Sequence, residues 1–224
     1  NCQWSCIVGR TGTRNKDLND PLKGHDIMTE AHICSRCLDV IEHDVIPMTR
    51  SGVAAGNKVF GAAILRKSDL SLVIAGTNGE IENPLYHGEI STLNAFYAMP
   101  DTDRPATRDC IFVSTHEPCS LCLSAITWAG FDNFYYFFGY EDTRDAFNIP
   151  HDLKILQEVF KVEDGDYARQ NTFWVCKDLI ALSSEIEDHD SPSRAAQITR
   201  IRAAYDELSA TYQSSKTDND IPLS

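Results

Sequence analysis

The chain has 224 residues, 42% hydrophobic and 24% charged, with a formal net charge of −13. That size and composition suit one globular core plus an extension rather than two full domains, and the acidic balance makes a phosphate backbone an unfavourable partner, since tracking one needs a basic face. No run approaches the roughly 18 apolar residues of a membrane span, and the first residues lack the apolar stretch of a secretory signal.

Residues 1–24 have little periodicity and read as an arm. Apolar positions at helical spacing (Ile27, Ile33, Cys34, Cys37, Val40, Ile41, Val45) predict an amphipathic helix over about 26–48, followed by a loop over 52–58. Two apolar runs of strand length, 59–66 and 70–75, flank the polar turn Lys67-Ser68-Asp69 and predict a hairpin. A turn-rich stretch from Gly76 to Pro84 leads to a helix over 88–99, a polar loop over 101–107 and a short strand over 110–115. Pro118 suits the first turn of a further helix, because its missing N–H costs nothing there. That helix should stop at Gly130, with an aromatic strand over 134–138. Strand and helix alternation predicts a sheet with helices packed on it. Beyond Tyr140 the pattern is mainly helical, over 150–160, 172–187 and 193–209.

The chemistry concentrates in His87-Gly88-Glu89 and Pro118-Cys119-Ser120-Leu121-Cys122. One imidazole and two thiolates make a three-ligand set for Zn²⁺ with a fourth position open, the catalytic rather than the structural arrangement. Cys119 and Cys122 fall on one face of a helix start, where the positive helix end lowers thiol pKa values. His87 stands just before another predicted helix, so two helix N-termini meeting would present all three ligands to one metal. Zinc makes water nucleophilic at neutral pH. Glu89, not needed as a ligand, is the expected proton shuttle. H-x-E followed by P-C-x-x-C is the known signature of zinc deaminases.

A competing reading is a structural zinc site in which Cys34-x-x-Cys37 completes a four-cysteine set with Cys119 and Cys122, but it leaves His87 and Glu89 without a role. Cys34 and Cys37 instead fit the apolar face of their helix. The thiolate ligands favour a reducing, cytoplasmic compartment over a disulfide framework.

The stretches Asn83–Leu93 and Thr115–Ala129 resemble the cytidine deaminase-like superfamily. The first looks like the zinc motif of fungal cytosine deaminase, the second more like bacterial guanine deaminase and tRNA adenosine deaminase. The resemblance covers about residues 26–147. It implies an α/β fold, three layers α/β/α around a mixed five-stranded sheet, with the fifth strand near 173–176 and a helical C-terminal extension. The chain then divides into an arm (1–24), a zinc-dependent deaminase domain (25–180) and an extension with a polar tail (181–224). The resemblance also implies zinc held by His87, Cys119 and Cys122, with Glu89 moving protons. An Asn ahead of the first motif would hydrogen-bond the substrate ring. Asn78 is the candidate and Asn83 the fallback, although Thr77-Asn78-Gly79 is equally an ordinary turn. Phe60 and Trp128 are candidate walls for a flat heterocycle. His151, Asp152 and Tyr167 reach a substrate only if the C-terminal helices form a lid. The function expected is hydrolytic deamination of a small heteroaromatic amine, a cytosine- or guanine-type base or nucleoside, by a homodimer. The alternatives are a deaminase of tRNA or single-stranded nucleic acid, and a non-catalytic zinc-stabilised interaction protein.

Overall fold

The computed structural model of the protein describes residues 28–145 and 150–223; the expected arm over 1–24 lies outside them. Helix α1 (Glu30–Val40) opens on Thr29, whose side chain caps the His32 amide. It passes through a single π turn (Ile41–Val45) into α2 (Ile46–Ala54). The turn has a cause in the sequence. Pro47 has no N–H to give to the fourth carbonyl back, and the preceding residue, Ile46, bonds to Ile41 O five residues back. The helix therefore survives Pro47 and runs six residues past the expected end at 48.

Strands β1 (Gly61–Arg66) and β2 (Leu72–Thr77) form the expected hairpin. Helix α3 (Gly88–Ala98), strand β3 (Cys110–His116), helix α4 (Ser120–Ala129) and strand β4 (Asn133–Phe138) follow. Gly130 closes α4 at φ 80°, a left-handed conformation that suits glycine. Then come α5 (Tyr140–Asp145), α6 (His151–Phe160), β5 (Val175–Asp178), α7 (Leu179–Glu185) and α8 (Ser191–Ser215). The helix expected over 172–187 is thus a strand followed by a helix. Asp178 decides the boundary: its carboxylate caps the amides of Ile180 and Ala181 at 2.7 and 3.0 Å, so the helix starts after it.

The sheet order is β2-β1-β3-β4-β5, antiparallel on the β1 side and parallel from β3 to β5. Period-2 alternation assigns the faces. Ala62, Ile64 and Phe112 pack with Leu93, Phe96, Leu123 and Ile126 under α3 and α4. Ala63, Leu65 and Val113 pack under α1, α2, α7 and α8. This is a three-layer α/β/α architecture. Tyr205 and Tyr212 of α8 are fully buried in the second core with Ile201 and Leu208, an apolar stripe at helical spacing. Leu182 of α7 and these residues of α8 share one core with the sheet. No helix among the described residues is long and apolar enough to cross a membrane.

Candidate active site

Two chain reversals bring the motifs together. β2 leaves the sheet through residues 78–87 to start α3, and β3 runs directly into α4. His87 is the N-cap of α3 and Cys119 the N-cap of α4, and neither makes a side-chain capping bond. Positions that usually hold a Ser, Thr or Asp cap instead carry an imidazole and a thiol, leaving both positive helix ends directed at the site. The helix begins at Ser120, so Pro118 stands just outside it rather than in its first turn. Gly88 lets α3 approach the sheet: a Cβ there would lie 2.7 Å from Gly61 Cα.

Cys119 Sγ lies 3.4 Å and Cys122 Sγ 3.7 Å from His87 Nδ1. Ligands at zinc bond lengths in tetrahedral geometry stand about 3.5–3.8 Å apart, so the donor set fits the metal. Among the described residues this is the one group of three or more His, Cys, Asp or Glu with ligand atoms close enough for a metal ion, and neither Cys34 nor Cys37 belongs to it. Those two are buried in the α1 core, where Cys34 Sγ donates to Leu179 O at 3.7 Å.

Glu89 sits beside the group. Its Oε1 accepts from Ser114 Oγ at 3.0 Å and its Oε2 from the Cys122 thiol at 3.3 Å. In the metal-free protein, burial followed by the Cys119 thiolate holds Glu89 above the ordinary carboxylate range. A hydrogen bond from Cys122 lowers Cys119 well below a normal thiol, with further help from His87. Burial alone would lower His87, but Cys119, Glu89 and Glu80 outweigh it and raise it to about 9.

These groups open into a cavity of about 350 Å³. Phe60 lines it and meets His116 edge-on, ring centroids 4.8 Å apart. Burial pushes His116 down to about 3, so this ring is a neutral wall. Asn78 does not line the cavity, and its amide is engaged elsewhere. Its Oδ1 accepts from the Glu80 and Lys58 backbone amides, and its Nδ2 donates to Glu80 at 2.6 Å. Asn83 is likewise outside the lining, with Oδ1 accepting from the Leu85 amide at 3.0 Å. Trp128 is 90% exposed on α4 and also lies outside the lining.

Of the remaining walls, sequence reasoning named His151 and Asp152, on condition of a lid, and missed the others. Lys58 and Glu80 line the cavity as a buried pair, 3.0 Å apart. His151, Asp152 and Ile155 of α6 close one side, and Pro222 and Leu223 another. Burial, then the Cys119 thiolate, push Asp152 up to about 8. Tyr167 stays outside the lining and donates to Glu117 at 2.8 Å, alongside Arg169 at 2.7 Å. The sole sequence signal for any of these was a His-Asp pair opening a helix after Pro150.

Residues 43–138 match the model of the cytidine and deoxycytidylate deaminase zinc-binding region. No curated protein matches the chain significantly. Among solved structures, the guanine deaminase of Nitrosomonas europaea is 19% identical, with a TM-score of 0.45 over 86% of this chain and 100% of the other. The guanine deaminase of Bacillus subtilis is 23% identical, with a TM-score of 0.44 over 71% and 92%. A tRNA:A34 deaminase is 19% identical, with a TM-score of 0.42 over 66% and 99%.

Proposed function

Residues 43–138 belong to the cytidine deaminase-like superfamily, and on that premise we propose that the protein is a zinc-dependent aminohydrolase acting on a small heteroaromatic amine. One observation carries the reading. A buried carboxylate that is not part of the metal-capable group lies against it, at the floor of a cavity walled by aromatic rings. A structural zinc site has no use for such a carboxylate.

Bound zinc would supply the Lewis acidity that makes water a nucleophile near pH 7. His87, Cys119 and Cys122 would hold it. Glu89, anchored by Ser114, would take a proton from the attacking water and deliver protons to the ring nitrogen and the departing amine. The balance is one water in, one exocyclic C–NH2 bond broken, one carbonyl formed and one ammonia released. Phe60 and His116 offer flat surfaces to a ring. Asp152 places an acceptor in the same cavity, suited to the ring N–H and amino donors of a guanine-type or protonated cytosine-type edge. A free base or nucleoside fits better than a polymer: among the described residues lining the cavity the one Lys or Arg is Lys58, and it is paired with Glu80. A reducing, cytoplasmic setting belongs to the same reading, because two ligands must be thiolates, and a homodimer belongs to it on the family resemblance alone.

The test is ammonia release by the zinc-loaded protein across bases, nucleosides, pterins and triazines. Glu89→Gln should keep one equivalent of zinc and lose about 10²–10⁴-fold in turnover on whichever substrate responds. Turnover near wild type in that variant removes Glu89 from the mechanism, and silence across the panel removes the small-molecule reading.

A further inference from the structure

A buried ion pair stands behind the imidazole of His87, and the mechanism above does not use it. Lys58 and Glu80 keep only 6% and 3% of their side chains exposed, yet they come from a loop ahead of β1 and a loop after β2, with no sequence spacing that announces them. Lys58 Nζ donates to Glu80 Oε1 at 3.0 Å. The same oxygen lies 3.8 Å from His87 Nε2, the ring nitrogen turned away from the two thiols. Asn78 Nδ2 holds the other carboxylate oxygen at 2.6 Å, and Asn78 Oδ1 takes the Glu80 amide at 3.1 Å. Side chain and backbone of Glu80 are therefore both fixed, and one carboxylate edge faces the imidazole.

Charge on that edge has a directional consequence. An anionic oxygen beside Nε2 favours the proton on Nε2 and leaves Nδ1 as the lone-pair donor. Nδ1 is the atom turned towards Cys119 and Cys122. Lys58 holds the same oxygen from the other side. Carboxylates that hydrogen-bond the outer nitrogen of metal-ligating histidines orient the ring and raise its basicity, and Glu80 Oε1, at 3.8 Å, stands just beyond that contact.

We propose that Glu80, clamped between Lys58 and Asn78, is a positioning residue for His87, holding its ring so that Nδ1 is presented to the metal. This rests on the reading of His87 as a zinc ligand. It also gives Asn78 a role other than the substrate contact expected from the sequence: its amide holds Glu80.

The test measures zinc affinity by chelator competition, together with solvent exchange of the His87 Nε2–H in the zinc-loaded protein. In wild type the expectation is one equivalent of zinc and a protected Nε2–H. Lys58→Met/Glu80→Met removes both charges at similar volume, a replacement buried pairs commonly tolerate. It should bind zinc about 10–100-fold more weakly, with the Nε2–H exchanging freely. Glu80→Gln keeps an acceptor oxygen and should fall between. If the double variant does not fold, Glu80→Gln decides alone: weakened zinc binding with faster Nε2–H exchange supports the role, and wild-type values for both overturn it. A wild-type chain that takes up no zinc overturns the ligand reading and this inference together. Wild-type zinc binding that the folded variants match overturns this inference by itself.

Discussion

Two parts of the chain build one cavity under different constraints. Between His87 and Cys122 the walls are helix starts, where backbone geometry fixes where a side chain must be: both N-cap positions carry ligands, and Glu89 and Cys122 follow within the first turn of their helices. After Tyr140 the walls are three side chains of α6, His151, Asp152 and Ile155, and Pro222 and Leu223 beyond α8, none of them in the metal-capable group. The first part can change little without losing the metal-capable geometry. The second can change side chain by side chain while the cavity stays open. On the proposed reading, the metal site is carried by the first part alone, while the cavity walls come from both parts and from Phe60, so the two sets of residues should respond differently to mutation.

The largest effect that would sharpen the contrast is at Cys119. Cys119→Ala removes a ligand from a three-ligand set, and the expected outcome is loss of both bound zinc and turnover. Wild type should gain thermal stability from zinc, by about 4 kcal/mol where zinc exceeds its Kd a thousandfold, and the variant should gain almost none. Melting curves with and without zinc measure this. A zinc-induced rise in Tm as large in Cys119→Ala as in wild type breaks the comparison at its root, because the first part of the chain would then not be the metal site.

The same division explains what the sequence disclosed. His87, Cys119 and Cys122 were legible as a metal-capable group because a metal demands fixed ligand types, and a helix start converts spacing into position. The strands and most helices were legible from periodicity, and the fifth strand, expected near 173–176 and found at Val175–Asp178, needed the family resemblance because four residues are too few to separate from a helix by pattern alone. Lys58 and Glu80 were not legible: they lie 22 residues apart on two loops, and only the β1–β2 hairpin brings them together. Asn78 was read as a substrate contact or, equally, an ordinary turn residue, and the structure engages its amide with Glu80. Trp128 was read from an aromatic position after the second motif. Position along α4 does not say which side of the helix faces the cavity, and Trp128 is on the solvent side.

A smaller effect is expected at Asp152, the polar wall of the second part. Replacing a carboxylate that hydrogen-bonds a substrate edge typically costs about 1.5–3 kcal/mol, so Asp152→Asn should lower kcat/KM about 10- to 100-fold with zinc content unchanged. Stability gives an independent readout. The pKa of this group is raised from 3.8 to about 8 on folding of the metal-free protein. The folded state then holds the proton more tightly than the unfolded chain. The contribution is fully present below pH about 4 and is lost as pH rises through about 8. Relative to wild type, metal-free Asp152→Asn should therefore become progressively more stable across that window in denaturant titrations. The groups facing Asp152 electrostatically are Cys119, His87, Glu89 and Lys58, and all four remain in the variant. A difference between the two proteins that does not vary with pH would mean that Asp152 is solvated, and that α6 lines the cavity without contributing a desolvated group.

The smallest effect separates the two aromatic candidates. Phe60 lines the cavity and packs edge-on against His116, so Phe60→Leu removes a ring face of the kind whose pairing is worth about 0.5–1.5 kcal/mol beyond area, and KM should rise roughly 2- to 10-fold. Trp128 is 90% exposed, and Trp128→Ser should leave KM unchanged and stability within about 0.5 kcal/mol of wild type. Steady-state kinetics and melting on the two variants, with sedimentation velocity on the second, measure both. The informative failure is a KM for Trp128→Ser that rises as far as that of Phe60→Leu. The outer face of α4 would then belong to the substrate site, through a second copy of the chain if sedimentation changes as well. The substrate walls would then reach past the cavity lined by Phe60 and His116 to the exposed face of the helix that carries Cys122.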